Sequence, residues 1–422
     1  MYCGSCMRDN TLVAAMRKLG HDVVLVPLYT PLKTDEPDNS LERMFFGGVN
    51  VFLQQKAALF RKTPEWLDRG LDNRGLINFA TSFGIKTSPE DLGDLMLSML
   101  MGEEGNQKKE LDKLVRWLKE HNKPDVLCLS NVLLAGMARR LGEALKIPVV
   151  CTLQGEDFFL DGLPPAHAAG AWELLRRCVT HIDAFIPVSH YYGRTMQTRL
   201  NLPAEKMHVV HNGMDATGFF PGIKRPERPT IGYLARMSPE KGLRILIEAF
   251  KLIRARGAIK DACLRIAGSY TPDNSVFVDE IKTSLRNDGL LEHVEFSPNL
   301  TRAGKIEFLQ SLSVFSVPAS YGESFGLYVL EALACAVPVV QPEHGAFPEL
   351  LQSVGGGILY KPDDSGDLAA KLEELLLDDD RRAALGAAGR ANVLSKFTME
   401  RVAREVVSVF EKCRLGLARN AG

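Results

Sequence analysis

Gly322-Glu323-Ser324-Phe325-Gly326-Leu327-Tyr328-Val329-Leu330-Glu331-Ala332 follows the apolar run Val314-Val317 and passes without a break into a helical pattern that reaches Cys335. A short apolar run, a glycine-bounded loop and an apolar helix make the repeating unit of open α/β sheets, whose ligands sit at the loops after the strands. Backbone N–H groups left free at a helix N-terminus, aided by the helix dipole, suit a phosphate. Gly322 and Gly326 let the main chain come close to it. Glu323 falls in the loop and Glu331 about two turns into the helix, and eight helical residues would separate the two carboxylates by roughly 12 Å. Such a pair can hold hydroxyls at opposite ends of one long ligand, or can be two unrelated glutamates on an amphipathic surface. The spacing alone leaves both open.

The same unit recurs upstream. Ile231-Gly232-Tyr233-Leu234-Ala235-Arg236-Met237-Ser238-Pro239-Glu240-Lys241-Gly242 is again a strand end followed by a helix start. Arg236 and Lys241 bring two positive charges to one mouth of the sheet, where they could offset charge growing on a departing phosphate. Either one alone reads as a solvated surface cation. In this half Thr230-Ala235, Cys263-Gly268, Val294-Ser297, Val314-Val317 and Pro338-Gln341 read as strands; in the first half Asp22-Leu28, Asp125-Leu129, Pro148-Leu153, Ala184-Val188 and Met207-Val210 do. Most are continuous apolar runs, as expected of parallel strands covered on both faces. Helical stretches such as Val132-Leu145 and Leu243-Arg256 lie between them.

That order implies an α/β protein of two doubly wound domains. The first spans residues 1–217 with a helical insertion at about 55–120, and the second spans 230–396. A Pro- and Gly-rich linker, 218–229, joins them, and a terminal helix over 397–422 is expected to pack back toward the first domain. In the insertion Met96, Met99 and Met101 form an apolar cluster, read as packing against the core ahead of a membrane-touching helix. One element is missing from the pattern. Gly4 and a helix from about Asp9 to Leu19 match the turn and helix that open such a domain, but no strand precedes them. The expectation is that translation begins upstream of Met1; the alternative is that Val49-Leu53 fills the gap.

The 422 residues carry a formal net charge of −1, which argues against broad nucleic-acid binding. No apolar run is long enough to span a bilayer, and the N-terminus lacks the pattern of a secretory signal. A cytoplasmic protein is expected, with peripheral membrane contact left open. Eight cysteines read as reduced thiols, three of them (Cys128, Cys151, Cys263) within strands. Cys3-Gly4-Ser5-Cys6 is a C-x-x-C, but no second ligand pair accompanies it. No Asp-x-Asp motif stands out near Glu323 or Arg236, so neither a metal nor a cofactor is expected.

These segments together resemble retaining glycosyltransferases of family 4. Glu323 and Glu331 match that family's E-x7-E motif, and Gly232 through Gly242 its G-x-x-x-R-x-x-x-x-K-G segment. Val188-Ser189, Asn212-Gly213-Met214-Asp215 and Phe220-Pro221 resemble the run that closes its first domain, Gly345 through Glu349 its G-G-x-x-E loop, and Leu19-Gly20-His21-Asp22-Val23 the end of its first helix. The resemblance covers nearly the whole chain and is weakest between Gln55 and Glu120. It implies the GT-B fold, two Rossmann-like domains facing each other across a cleft, and transfer of a sugar from a nucleoside-diphosphate sugar to an acceptor hydroxyl with retention. By the same resemblance Arg236 and Lys241 bind the donor diphosphate, Glu323 the donor sugar and Glu331 the ribose. Ser324, Phe325, Gly326 and Leu327 line phosphates and sugar, and Gly4 lies close to the diphosphate.

This chain departs from the family in places. Cys3 stands for the first glycine of the usual pair, Ala336 for the glycine of A-x-G-x-P, and Gln154 where many relatives place a histidine on the acceptor side. Gln154 can hydrogen-bond but cannot serve as a general base. Glu156 or Asp157 could orient the acceptor hydroxyl, or could simply cap the helix ahead of Phe158. Retention by double displacement needs a carboxylate nucleophile at the anomeric carbon; none is evident, and the resemblance implies front-face substitution instead. A nucleotide-sugar epimerase and a non-catalytic sugar-nucleotide-binding scaffold of the same fold are the alternatives.

Overall fold

The computed structural model describes residues 4–29, 36–56, 60–61, 88–121, 123–223 and 226–420. The chain forms two compact units, one of Cys3–Val210 with Ala403–Gly422, the other built on His211–Val402.

The first unit holds a parallel sheet in the order β1 (Leu127–Leu129), β2 (Val149–Leu153), β3 (Ala184–Pro187). Every residue of β2 and β3 is buried, as the continuous apolar runs require of two-faced strands. Around the sheet lie α1 (Gly4–Lys18), α2 (Gly48–Lys56), α3 (Pro89–Leu100), α4 (Lys108–His121), α5 (Ala138–Leu145), α6 (Glu156–Asp161), α7 (Pro165–Cys178) and α8 (His190–Leu200).

Two expected strands are reduced to single bridges. Leu25 and Leu28 each touch one residue, Ser40 and Phe45, and Pro27 between them has no N–H to extend a ladder. Residues 207–210 run beside β3, with the His208 N–H on the Phe185 carbonyl and the Val210 N–H on that of Pro187. Pro187 cannot donate in return, and the pairing ends there. Residues 49–53 belong to α2, so they supply no strand, and among the described residues none of this sheet's strands precedes Leu127. Of the insertion, 62–87 lies outside the described residues. Its later part buries Met96 and Met99 where α3 packs on α7, while Met101 faces outward. Cys6 lies in α1, and Cys3 lies outside the described residues.

The second unit carries a six-stranded parallel sheet. Its strands are β4 (Thr230–Leu234), β5 (Cys263–Gly268), β6 (Val294–Pro298), β7 (Val314–Phe315), β8 (Val339–Pro342) and β9 (Gly357–Tyr360). They stand in the order β6-β5-β4-β7-β8-β9. The chain winds outward from β4 to β6, then returns to β7 on the other side. The β4/β7 boundary is therefore the point where the winding reverses, and open sheets bind ligands beyond the strand ends at such a point. β7 is shorter than its apolar run, because the Gln341 side-chain carbonyl takes the Val317 N–H and Pro318 follows. The helices that matter here are α9 (Leu243–Arg256), α10 (Arg302–Gln310), α11 (Leu327–Ala334), α12 (Phe347–Val354) and α13 (Met399–Asn420), the last running from one unit's residues into the other's.

The expected linker is not where the units divide. Met214 pairs with Thr398, and residues 215–220 are strapped to the second unit by side chains. Arg302 donates to the Asp215 and Thr217 carbonyls, Arg390 to that of Phe219 and Gln310 to that of Phe220, while Phe219 is buried. The division falls earlier, between Val210 and His211.

Candidate functional site at the sheet reversal

Both motif loops emerge at this reversal, one after β4 and one after β7. Gly242 lets them meet. Its φ is +71°, and a Cβ there would lie 1.6 Å from the Pro318 carbonyl oxygen. The turn Pro239–Lys241 can thus press against the loop after β7, where the Ser320 N–H bonds the Glu240 carbonyl at 3.0 Å. Gly345 (φ +64°) does the same from the β8 side: a Cβ would sit 2.8 Å from the Glu323 nitrogen. There the Ala346 N–H holds the Glu323 carbonyl at 2.9 Å.

This packing brings Lys241 Nζ to 2.6 Å from Glu323 Oε2 and 2.5 Å from the Tyr321 hydroxyl. The Tyr328 hydroxyl donates to the same Glu323 oxygen at 2.9 Å. Both side chains of the ion pair are largely buried, 14% exposed for Lys241 and 10% for Glu323. Burial, and then the neighbouring Glu323 charge, pushes both phenols well above their ordinary range, so they remain protonated. Arg236, just past β4, is exposed, with its guanidinium 3.4 Å from Glu240.

α11 begins at Leu327, so Glu331 lies little more than one turn into the helix, not two. It pairs with Lys305 of α10 at 2.7 Å. Glu323 and Glu331 thus have different cationic partners on different elements. Ser324 and Phe325 are buried; the Phe325 ring packs beside His211 and Phe397, so what this residue can turn to a ligand is its main chain. Gly326, in the left-handed region, precedes α11, and Leu327 is its half-buried first residue. His344 bonds the Ala319 carbonyl at 2.8 Å. Tyr321, Tyr328 and Lys305 escaped the sequence reading: an aromatic at helical spacing reads as core, and Lys305 as surface.

The mouth of the first unit's sheet is built differently. Gln154, Glu156 and Asp157 follow β2, but the Glu156 carboxylate is buried and accepts four bonds. They come from the backbone N–H groups of Gln154 (2.8 Å), Gly155 (3.0 Å) and Val132 (3.3 Å), and from the Tyr192 hydroxyl (2.9 Å). Burial raises its pKa, against the pull of these bonds. Its work is therefore to fix this loop and the turn at Val132, rather than to cap α6. Gln154 Nε2 donates to the Ser130 carbonyl at 2.7 Å and to Thr152 Oγ1 at 3.1 Å. Asp157 is half-buried, with Phe158 exposed beside it. Gly4 is the first residue of α1.

Two Rossmann-like units with parallel sheets, the second carrying cations and carboxylates at its reversal point, have the architecture of the GT-B class. Residues 10–213 match the glycosyl transferase 4-like domain and residues 217–392 the glycosyl transferases group 1. The chain belongs to the group 1 glycosyltransferases. Among solved structures it resembles Anabaena Alr3699/HepE in complex with UDP, at TM-score 0.65 and 17% identity over 92% of this chain and 100% of that one. It also resembles sucrose-phosphate synthase from Thermosynechococcus elongatus, at TM-score 0.61 and 19% identity over 72% and 78%. Among sequences it is 28% identical, over 66% of this chain and 73% of the relative, to a GDP-mannose-dependent monoacylated alpha-(1-6)-phosphatidylinositol monomannoside mannosyltransferase of Corynebacterium glutamicum. A D-inositol 3-phosphate glycosyltransferase of Jonesia denitrificans is 26% identical over 52% of this chain. That match spans 54% of the relative, about half its length. No helix among the described residues is long and apolar enough to cross a membrane.

Proposed function

We propose that this chain transfers a sugar from a nucleoside-diphosphate sugar to an acceptor hydroxyl with retention at the anomeric carbon. The observation that carries the reading is the meeting of Lys241, Glu323 and the exposed Arg236 where the β4 and β7 loops converge, at the reversal of the sheet. Arg236 and Lys241 would stabilise the departing diphosphate, since preorganised cations act where charge develops. Glu323 would hold hydroxyls of the donor sugar and Glu331 the ribose, with Ser324, Phe325, Gly326 and Leu327 along the phosphates and sugar. Gln154 and Asp157 would face the acceptor, with Glu156 behind them as the anchor of their loop. The departing diphosphate would accept the acceptor's proton. The reaction would take place in the cytoplasm.

Solved neighbours hold UDP and relatives are named GDP-mannose-dependent, so the nucleotide is the first thing to test. Thermal unfolding with UDP, GDP, ADP and CDP should single out one of them. At hundredfold excess over Kd it should stabilise by about 2.7 kcal/mol. The matching sugar nucleotide should then release diphosphate only when an acceptor is added. Absence of any nucleotide effect would overturn the reading; consumption of the sugar nucleotide without acceptor would favour an epimerase.

A further inference from the structure

The two groups assigned to different parts of the donor, Lys241 and Glu323, are bonded to each other in this structure. Two tyrosines complete the cluster. The Lys241 ammonium lies 4.8 Å from the Tyr321 ring centroid and 5.8 Å from that of Tyr328, so both ring faces support the cation. The Tyr328 hydroxyl reaches the very carboxylate oxygen that Lys241 holds.

A diphosphate arriving at Lys241 competes with Glu323 for the ammonium. As the lysine turns to it, Glu323 loses its paired cation at a depth where an unpaired carboxylate is costly. The Tyr328 hydroxyl can stay. It projects from the first turn of α11, five residues beyond Glu323, on a ring held in contact with Phe315 and Phe347. We infer that the Lys241–Glu323 pair is the resting state of the donor site, and that Tyr328 is the positioning residue that keeps the Glu323 carboxylate bonded and aimed at the donor sugar once Lys241 moves to the diphosphate. Tyr321 and Tyr328 meanwhile hold the ammonium within reach of both anions. This inference rests on the donor reading above.

Its two consequences differ in what they do to nucleotide binding. Removing the Glu323 charge frees Lys241, so a nucleoside diphosphate without sugar binds more tightly while sugar transfer falls. Removing the Tyr328 hydroxyl leaves the ion pair intact, so diphosphate binding is unchanged while the sugar-dependent step falls.

The test is calorimetric titration of the full chain with UDP and with GDP, plus turnover of UDP-glucose and GDP-mannose in the presence of an acceptor that supports diphosphate release. It is run on wild type, Glu323→Gln, Tyr328→Phe and the double variant. The expected result is tighter nucleotide binding by Glu323→Gln and unchanged binding by Tyr328→Phe. Turnover by Tyr328→Phe should fall about tenfold, the scale of one hydrogen bond to a charged group. In the Glu323→Gln background Tyr328→Phe should have no further effect. Weaker nucleotide binding by Glu323→Gln, equal losses of nucleotide and sugar steps in Tyr328→Phe, or multiplying effects in the double variant would each overturn the inference. Should Tyr328→Phe fail to fold, the direction of the Glu323→Gln binding change decides. If wild type binds neither nucleotide, the donor reading fails and this inference with it; if wild type binds and only the variants disagree, this inference alone falls.

Discussion

The two sheets end in mouths that use carboxylates in opposite ways. At the mouth of the first unit, Glu156 is saturated by three backbone N–H groups and a tyrosine hydroxyl, and no cation is among these bonds. At the mouth of the second, Glu323 holds a lysine that an incoming anion can claim, with the exposed Arg236 on the same post-β4 segment. A buried carboxylate satisfied by backbone donors is a structural anchor. One satisfied by a lysine ammonium is a pair that a competing anion can exchange. The first builds a loop that presents its neighbours, and the second builds a site whose own charges react to a ligand.

The comparison can be broken at four places. The largest effect should come from Gly242→Ala, which puts a Cβ against the Pro318 carbonyl in a left-handed conformation. The strain and clash should cost at least about 3 kcal/mol, read as a lower denaturation midpoint. A variant as stable as wild type would mean that the two loops need not touch. Next, Lys241→Ala should reduce turnover by about a hundredfold or more, on the scale of a lost oxyanion donor, and should also lower Tm, because it leaves the Glu323 carboxylate without its cation. Turnover at the wild-type rate would make Lys241 an anchor like Glu156. Third, Glu156→Gln should separate the two effects. It should cost about 1–3 kcal/mol of stability, because an amide nitrogen would face donors, while nucleotide affinity stays at the wild-type value. A stable but inactive variant would give Glu156 a direct role at the acceptor. The smallest effect should come from Lys305→Met, which releases Glu331 and should weaken nucleotide binding by about threefold to tenfold in titration calorimetry.

What was legible in the sequence follows from what is local. The helix Leu243–Arg256 was readable to the residue because Gly242 and Gly257 bound it in left-handed conformations. The strands of the second unit were readable as apolar runs, except β9, a four-residue stretch beginning in glycine, too short to show periodicity. The positions of Arg236, Lys241 and Glu323 in the loops after their strands were legible in the same way, whereas Glu331 lies nearer the helix start than the sequence implied. The Tyr321–Tyr328–Lys241–Glu323 cluster was not, because it exists only when loops about 80 residues apart in the chain are pressed together by Gly242. The two readings of Glu156 stayed open for a similar reason: two of its donors are local, but Tyr192 is 36 residues away and Val132, 24 residues away, comes from another strand's end. The end of the first unit was misplaced because proline and glycine mark 218–229 as a linker, whereas arginine side chains from distant helices tie 215–220 down.

The central claim is that the reversal point between β4 and β7 is the donor site. A crystal structure of the protein soaked with whichever nucleoside diphosphate stabilises it tests this most directly. The account predicts diphosphate oxygens within hydrogen-bond reach of Lys241 Nζ and the Arg236 guanidinium, the ribose on Glu331, and the Lys241–Glu323 bond lengthened or broken. A diphosphate bound elsewhere, with the Lys241–Glu323 pair still closed, would contradict it.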